Sequence, residues 1–329
     1  MKRISLYFFL LSGILASAQV THKRSLSMLG SPFEMIVEAK DIPEADTYID
    51  MAIAEVSRLE NLISDWIPTT PISEVNRNAG IKPIKVPQEV FDLVQRSIKI
   101  SELTSGAFDI SYASMDKIWK FDGSMTAMPT PEEIKKSVAK VGYKNIILDT
   151  KNNTIFLKEE GMKLGLGGIG QGFIADKIKA LLISKGVVAG IVNVSGDINT
   201  WGKQLNGEKW KVAIKNPLNK DKIFATFPLE DSAVETSGSY EKYVTFNGIR
   251  YSHIIDTRTG YPATGVISVS LFAKSTEFAD ALATGVFVMG VDVGLDLVNQ
   301  LPGIGCIYVD DKGKIFASKN IDLKKFNNE

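Results

Sequence analysis

Apolar residues recur at two periods along the chain, and the switches between them mark its elements. Residues 24–39 alternate as one or two strands, interrupted at Leu29-Gly30-Ser31-Pro32. Ile49, Ile53, Val56, Leu59 and Ile63 fall on one stripe, which predicts a helix over 44–66 with Trp66 at its exit, a place that first suggests a core residue. Residues 71–78 read as a turn-rich loop. Val90, Phe91, Val94 and Ile98 predict a second amphipathic helix over 88–103, stopped by Thr104-Ser105-Gly106. Thr130-Pro131-Glu132-Glu133 joins a capping box to a proline at the first helical position, so a short helix is expected to reach Val141 and end at Gly142. Residues 145–148 and 154–157 suit a hairpin. Ile174, Ile178, Leu181 and Leu182 mark a helix over 173–184, and 190–194 a strand. Phe246 and Ile249 flank Asn247-Gly248, a type I′ hairpin signal, so 249–256 is the expected returning strand and 257–262 a turn leaving the sheet. Ser275 or Thr276 caps a last helix, running towards Gly290.

Composition narrows the class. Lys2 and Arg3 precede an apolar run over 4–15, and Ala16-Ser17-Ala18 has the small-x-small pattern of a signal-peptidase site. Residues 1–18 are therefore expected to be a cleaved secretory signal, leaving 19–329 as a single unit of one large core or two intimate lobes, exported and periplasmic, with no lipid-anchor cysteine after the leader. Losing Lys2 and Arg3 takes the neutral chain to a net charge of about −2, which suggests neither nucleic acid nor a polybasic membrane patch. The run is too short to span a bilayer as a mature helix. Cys306 is the only cysteine, so no internal disulfide forms and a His/Cys zinc site is nearly excluded. A metal would need oxygen ligands, pointing to magnesium or calcium.

Three stretches carry candidate chemistry. Tyr251 to Pro262 holds His253, Asp256 and Arg258: a group that moves protons near neutral pH, a carboxylate, and a fork of donors suited to phosphate. The same residues equally suit an ordinary edge strand and polar turn. The chain has only one other histidine, His22, close to the N-terminus, so histidine chemistry falls to His253. Gly165 to Gly172 contains G-x-G-x-x-G before a helix, where backbone amides can approach a diphosphate. A dinucleotide fold of the Rossmann kind is disfavoured, because the preceding strand is weak and the acid after the following strand, Asp197, comes too late for a ribose ligand. In the last helix Asp280 and Thr284 lie four apart on one face; they offer hard oxygen ligands for Mg2+, or else bond to nearby backbone.

Taken together these stretches resemble the ApbE family of flavin transferases. The likeness rests on L-G-G-I-G-Q-G-F-I-A-D over 166–176, N-V-S-G-D-I over 193–198, T-S-G-S-Y-E-K-Y over 236–243, S-H-I-I-D-T-R-T-G-Y-P over 252–262 and A-D-A-L-A-T over 279–284, in the family's order. The resemblance implies an α+β fold, with mixed sheets, packed helices and a nucleotide cleft between two intimate lobes. It implies Mg2+-dependent transfer of FMN from FAD to a Thr or Ser hydroxyl of an exported or membrane partner protein, with release of AMP. It assigns Asp280, Thr284 and a backbone oxygen of Gly168 to the metal, and Leu29, Trp66, Ala107, Phe108, Asp109, Gln171 and Ile254 to the flavin nucleotide. His253 is assigned to the transfer step. Three positions depart from the common pattern: Gly165 stands where many members have Asp, Leu29-Gly30-Ser31 replaces Met-Gly-Thr, and Gln171 replaces Lys or Glu. Two other functions suit the same residues: an FAD diphosphatase using water as acceptor, and a flavin-binding protein without turnover, against which Asp280, Thr284 and His253 argue.

Overall fold

Leu29 and Gly30 both take positive φ, 55° and 70°, the requirement of a two-residue hairpin turn, and fold strand Val20–Met28 back on Ser31–Ala39. That hairpin begins the main sheet of a computed structural model that describes residues 19–239 and 242–323. The expected leader over 1–18 lies outside the described residues. Across the eight-stranded sheet the order continues through Gly190–Val194, Asp197–Trp201, Ala233–Gly238, Val266–Ala273, Gly305–Asp310 and Ile315–Ala317. Every pairing in it is antiparallel. The α+β class therefore holds, while the strands expected to be mixed in direction are not: tight turns such as Ser195-Gly196, φ 60° and 110°, reverse the chain between neighbours.

Among the described residues six α-helices pack around the sheets: α1 Ile42–Ile63, α2 Pro71–Arg77, α3 Gln88–Leu103, α4 Pro131–Ser137, α5 Gly170–Ser184 and α6 Thr276–Gln300. The α1 stripe buries Ile49, Val56, Leu59 and Ile63. The helix ends at Ile63, three residues earlier than Trp66 would need, and Trp66 is 81% exposed rather than core. α2 stands where a loop was expected. Thr70 accepts from the Ser73 amide at 3.1 Å and Pro71 occupies the first turn, so Thr-Pro acts here as a helix start. The capping box of α4 is complete, but Val138 leaves helical geometry and the helix stops at Ser137. The hairpin of Ile146–Asp149 and Thr154–Leu157 forms as expected.

Among the described residues two large apolar cores form, with two smaller clusters beside them. One gathers Met35, Ile49, Leu59, Phe173 and Ile178 between the sheet, α1 and α5. In the other, Leu282, Val286 and Phe287 of α6 pack on Val269, Leu271 and Tyr308 of the central strands, each fully buried aliphatic side chain contributing roughly 1.5–3 kcal/mol. The single cysteine, Cys306, is buried in this second core. α6 is broken at Gly290, φ 77°, where the sequence suggested that the helix should end. Its length and apolarity alone would suit a membrane span, yet here its first half is the inner layer against the sheet.

Candidate active site

The site is built from the way α5 and α6 meet. A Cβ on Gly172 would lie 2.4 Å from the Thr276 carbonyl oxygen, so only glycine allows the first turns of these helices to approach as they do. Asp176, one turn further along α5, clasps the start of α6: its carboxylate accepts from Ser275 Oγ at 2.6 Å and from the Thr276 and Glu277 amides at 2.9 and 3.1 Å. It also accepts from Asn199 Nδ2 at 2.6 Å, which ties both helices to the sheet. Arg96 of α3 holds Glu277 from the other side. With α6 fixed, Asp280 Oδ2 receives the Gly172 amide at 3.2 Å. Thr284 comes one turn later beside the glycine-rich loop, where a Cβ on Gly168 would lie 3.3 Å from its Oγ1.

Asp280 is not alone. Asp197 opens the strand after the Ser195-Gly196 turn, and Glu235 sits in the central strand Ala233–Gly238 opposite Leu271. One carboxylate oxygen from each of Asp197, Glu235 and Asp280 lies within 4.8 Å of the others, and all three residues are buried. Burial, reinforced by the neighbouring Asp280 carboxyl, holds the Asp197 and Glu235 pKa values well above the usual carboxylate range. Burial also pushes Asp280 up to about 7, against the opposing pull of the Gly172 amide. Glu235 Oε1 accepts from Ser237 Oγ at 3.2 Å, but Glu235 Oε2 is buried without a partner. Three close carboxylates with an orphaned oxygen among them fit a divalent cation with hard-oxygen preference. Asp280, Thr284 and the Gly168 backbone would hold it, with Asp197 and Glu235 as further oxygen donors.

Above this acidic floor opens a cavity of about 540 Å³, within the range of small-molecule sites. It lies where the two cores meet, with Phe108 from the first and Ile254 packed against the second. Ala107, Phe108, Asp109, Gly168, Gln171, His253, Ile254, Asp280 and Thr284 all line it. Gln171 projects from the first turn of α5, which begins at Gly170, earlier than the apolar stripe indicated. Asp109 is buried and accepts from Ser111 and from the Tyr143 amide, while desolvation raises its pKa. Leu29 and Trp66 do not line the cavity. Leu29 packs from the hairpin turn onto the first core, and Trp66 lies outside the cavity beside its lining residue Lys117, whose ammonium lies 5.4 Å from its ring centroid.

The rim is the stretch from Tyr251 to Pro262. Its strand is shorter than expected, Ile249–Ser252, because the chain then turns to bond with 261–263: Ser252 and Asp256 donate their amides to Ala263 and Tyr261, and Ala263 donates to Ile254. His253 is exposed at the cavity wall, with the Phe121 ring edge-on to it and Nδ1 3.2 Å from the Lys242 carbonyl. A carbonyl only accepts, so this contact requires Nδ1–H and makes Nε2 the basic nitrogen. Arg258 does not face the cavity. Its guanidinium donates twice to Asp256, at 2.8 and 2.9 Å, so the carboxylate and the donor fork that looked suited to phosphate satisfy each other.

Glu235 was missed in the sequence. It lies one residue before T-S-G-S-Y-E-K-Y, and a charged residue within an otherwise apolar strand start was the available signal. Asp197 comes too late in the chain for a ribose ligand; its place after the Ser-Gly turn brings it instead beside Glu235 and Asp280.

A cavity over three buried carboxylates, beside a glycine-rich helix start and a rim histidine, has the make-up of an enzyme site. The chain belongs to the ApbE family, whose model matches residues 29–308. Among curated proteins, the FAD:protein FMN transferase of Treponema pallidum is 31% identical over 292 residues, 83% of this chain and 81% of that protein. That of Vibrio cholerae is 30% identical over 276 residues, 81% and 82% of the two. Among solved structures, the ApbE protein of Thermotoga maritima superposes with a TM-score of 0.83 at 29% identity, covering 94% of this chain and all of that one. The flavin transferase ApbE of Vibrio cholerae gives 0.82 at 26% identity, with the same coverage.

Proposed function

We propose that this enzyme transfers FMN from FAD to a Thr or Ser hydroxyl of a partner protein, with Mg2+ bound and AMP released. The observation that carries the reading is the meeting, in one cavity, of the glycine-rich start of α5, the Asp280–Thr284 pair and His253. Amides at the start of α5 suit the negative diphosphate, since a helix N-terminus offers unpaired N–H groups and a partial positive charge. Ala107, Phe108 and Ile254 supply apolar cover for a flavin, and Asp109 and Gln171 polar edges. Mg2+ at Asp280, Thr284 and the Gly168 carbonyl would neutralise charge developing on the departing AMP phosphate. His253 Nε2 takes the acceptor's hydroxyl proton as that oxygen bonds to the FMN phosphorus and the bond from phosphorus to the AMP oxygen breaks. A base so placed contributes roughly 10²- to 10⁴-fold.

The test is to incubate purified protein with FAD, Mg2+ and a candidate acceptor, then assay flavin fluorescence on the acceptor in a gel and AMP in solution. Fluorescent acceptor with matching AMP supports transfer. FMN and AMP without labelled acceptor would instead identify a diphosphatase. We further propose that residues 1–18 are removed on export to the periplasm. Mass spectrometry of the exported form should then find an N-terminus near Gln19, and an intact Met1 on active protein would refute it.

A further inference from the structure

Tyr112 covers the glycine-rich loop, and nothing in the proposed reaction uses it. It belongs to the single-turn helix Ile110–Ser114, which Asp109 caps by accepting from the Ser111 amide at 2.8 Å. This turn is stitched to the strand of chain entering the loop. The Gly165 amide donates to the Ile110 carbonyl at 2.8 Å, the Lys163 amide donates to Ser114 Oγ at 2.7 Å, and Ser114 Oγ contacts the Lys163 carbonyl at 3.0 Å. Tyr112 fills the space that side chains in the loop would need. A Cβ on Gly165 would lie 3.0 Å from the Tyr112 Cζ and hydroxyl and from Ala113 Cβ, and one on Gly167 would lie 2.9 Å from the same hydroxyl.

The residue is 37% exposed, and its hydroxyl lies against the loop, where it faces the Gly167 amide and feels the charges of Asp65 and Asp280. Burial pushes the phenol up to about 12, so it stays a neutral O–H group. The Gly167 amide can only donate, so it addresses the phenol oxygen and leaves the hydroxyl proton for another acceptor. Tyr112 lines the cavity together with Gly167, Gly168 and Gln171, at the start of α5. We infer that Tyr112 is a positioning and specificity residue: its ring sets the path of the loop, and its hydroxyl donates a hydrogen bond to the diphosphate of the bound dinucleotide. The inference rests on the FAD-dependent reading above, which supplies the diphosphate.

Two measurements test it. In the first, FAD binding is read by flavin fluorescence in the presence of Mg2+, with riboflavin as a ligand lacking the diphosphate. Tyr112→Phe keeps the ring, and should weaken FAD by about tenfold or more, the size of a hydrogen bond to a charged group, while leaving riboflavin binding unchanged. Unaltered FAD affinity, or equal losses for FAD and riboflavin, would overturn the hydroxyl's role. The second needs no ligand. Gly167→Ala should lower the thermal midpoint in the native background and lower it less when combined with Tyr112→Phe, because the clashing oxygen is gone. Strict additivity would overturn the packing claim. A native chain that binds no FAD would fail the transferase reading, while the coupling between positions 112 and 167 could still be measured.

Discussion

The floor and the rim of the cavity are held by opposite means. The floor is over-determined: Asp176 alone accepts four hydrogen bonds, Gly172 admits the Thr276 carbonyl at a distance no side chain would permit, and three carboxylates are buried together. The rim is a turn whose histidine is exposed and whose charged residues pair with each other. A buried carboxylate group is costly without a cation, so a floor of this kind must be clamped by backbone contacts that keep it together when the metal is absent. A base that meets a macromolecular acceptor has the contrary requirement, because it must remain reachable from outside.

The largest effect should follow from removing the floor's central carboxylate. Asp280→Ala should lower Mg2+-dependent AMP release by at least about 10²-fold, while circular dichroism shows the fold intact. Normal turnover with unchanged Mg2+ dependence would dissolve the distinction between floor and rim.

At the rim, His253→Ala should reduce single-turnover transfer by about 10²-fold or more and leave FAD binding within a few-fold. Equal losses of binding and rate would make His253 a nucleotide-positioning residue and the rim a second piece of floor.

Gly172→Ala probes the clamp. The added methyl group must push α5 from α6, and overpacking of this kind costs about 1–3 kcal/mol, measurable by denaturant unfolding. Mg2+ affinity should fall with it, since the Gly172 amide orients Asp280.

The smallest effect is on pH dependence. In metal-free protein the folded pKa of Asp280 is raised to about 7, and those of Asp197 and Glu235 are raised as well. The fold then keeps protons that the unfolded chain releases near pH 4, so stability is greatest in acid and is lost as pH climbs towards the folded value. The metal-free thermal midpoint should decline between about pH 5 and pH 8, and Mg2+ should restore most at the upper end. A midpoint indifferent to both would mean that the three carboxyls are not coupled as their geometry requires.

Elements with a strong period were legible in the chain. The α1 stripe, the capping box at Thr130 and the Asn247-Gly248 turn each follow from local chemistry, and each lies where its residues indicated. Asp280 and Thr284 were legible as a pair because helical spacing alone puts them on one face. Glu235 was not, since its inward direction is decided by register against Leu271, thirty-six positions away along the chain. The fate of Arg258 was equally hidden: a side chain two residues from a carboxylate can face a ligand or fold back, and only the turn geometry chooses. Trp66 shows how a helix boundary decides burial. A helix ending three residues sooner turns an expected core ring into an exposed one.

Cys306 has a practical consequence. It is fully buried, and burial pushes its thiol up to about 12, so almost no thiolate exists at neutral pH and reagents reach it only when the second core opens. The native protein is thus already equivalent to a cysteine-free scaffold for labelling purposes. One cysteine introduced beside the rim would be the sole reactive handle, ready to carry a fluorophore that reports the docking of an acceptor in real time, without first rebuilding the interior.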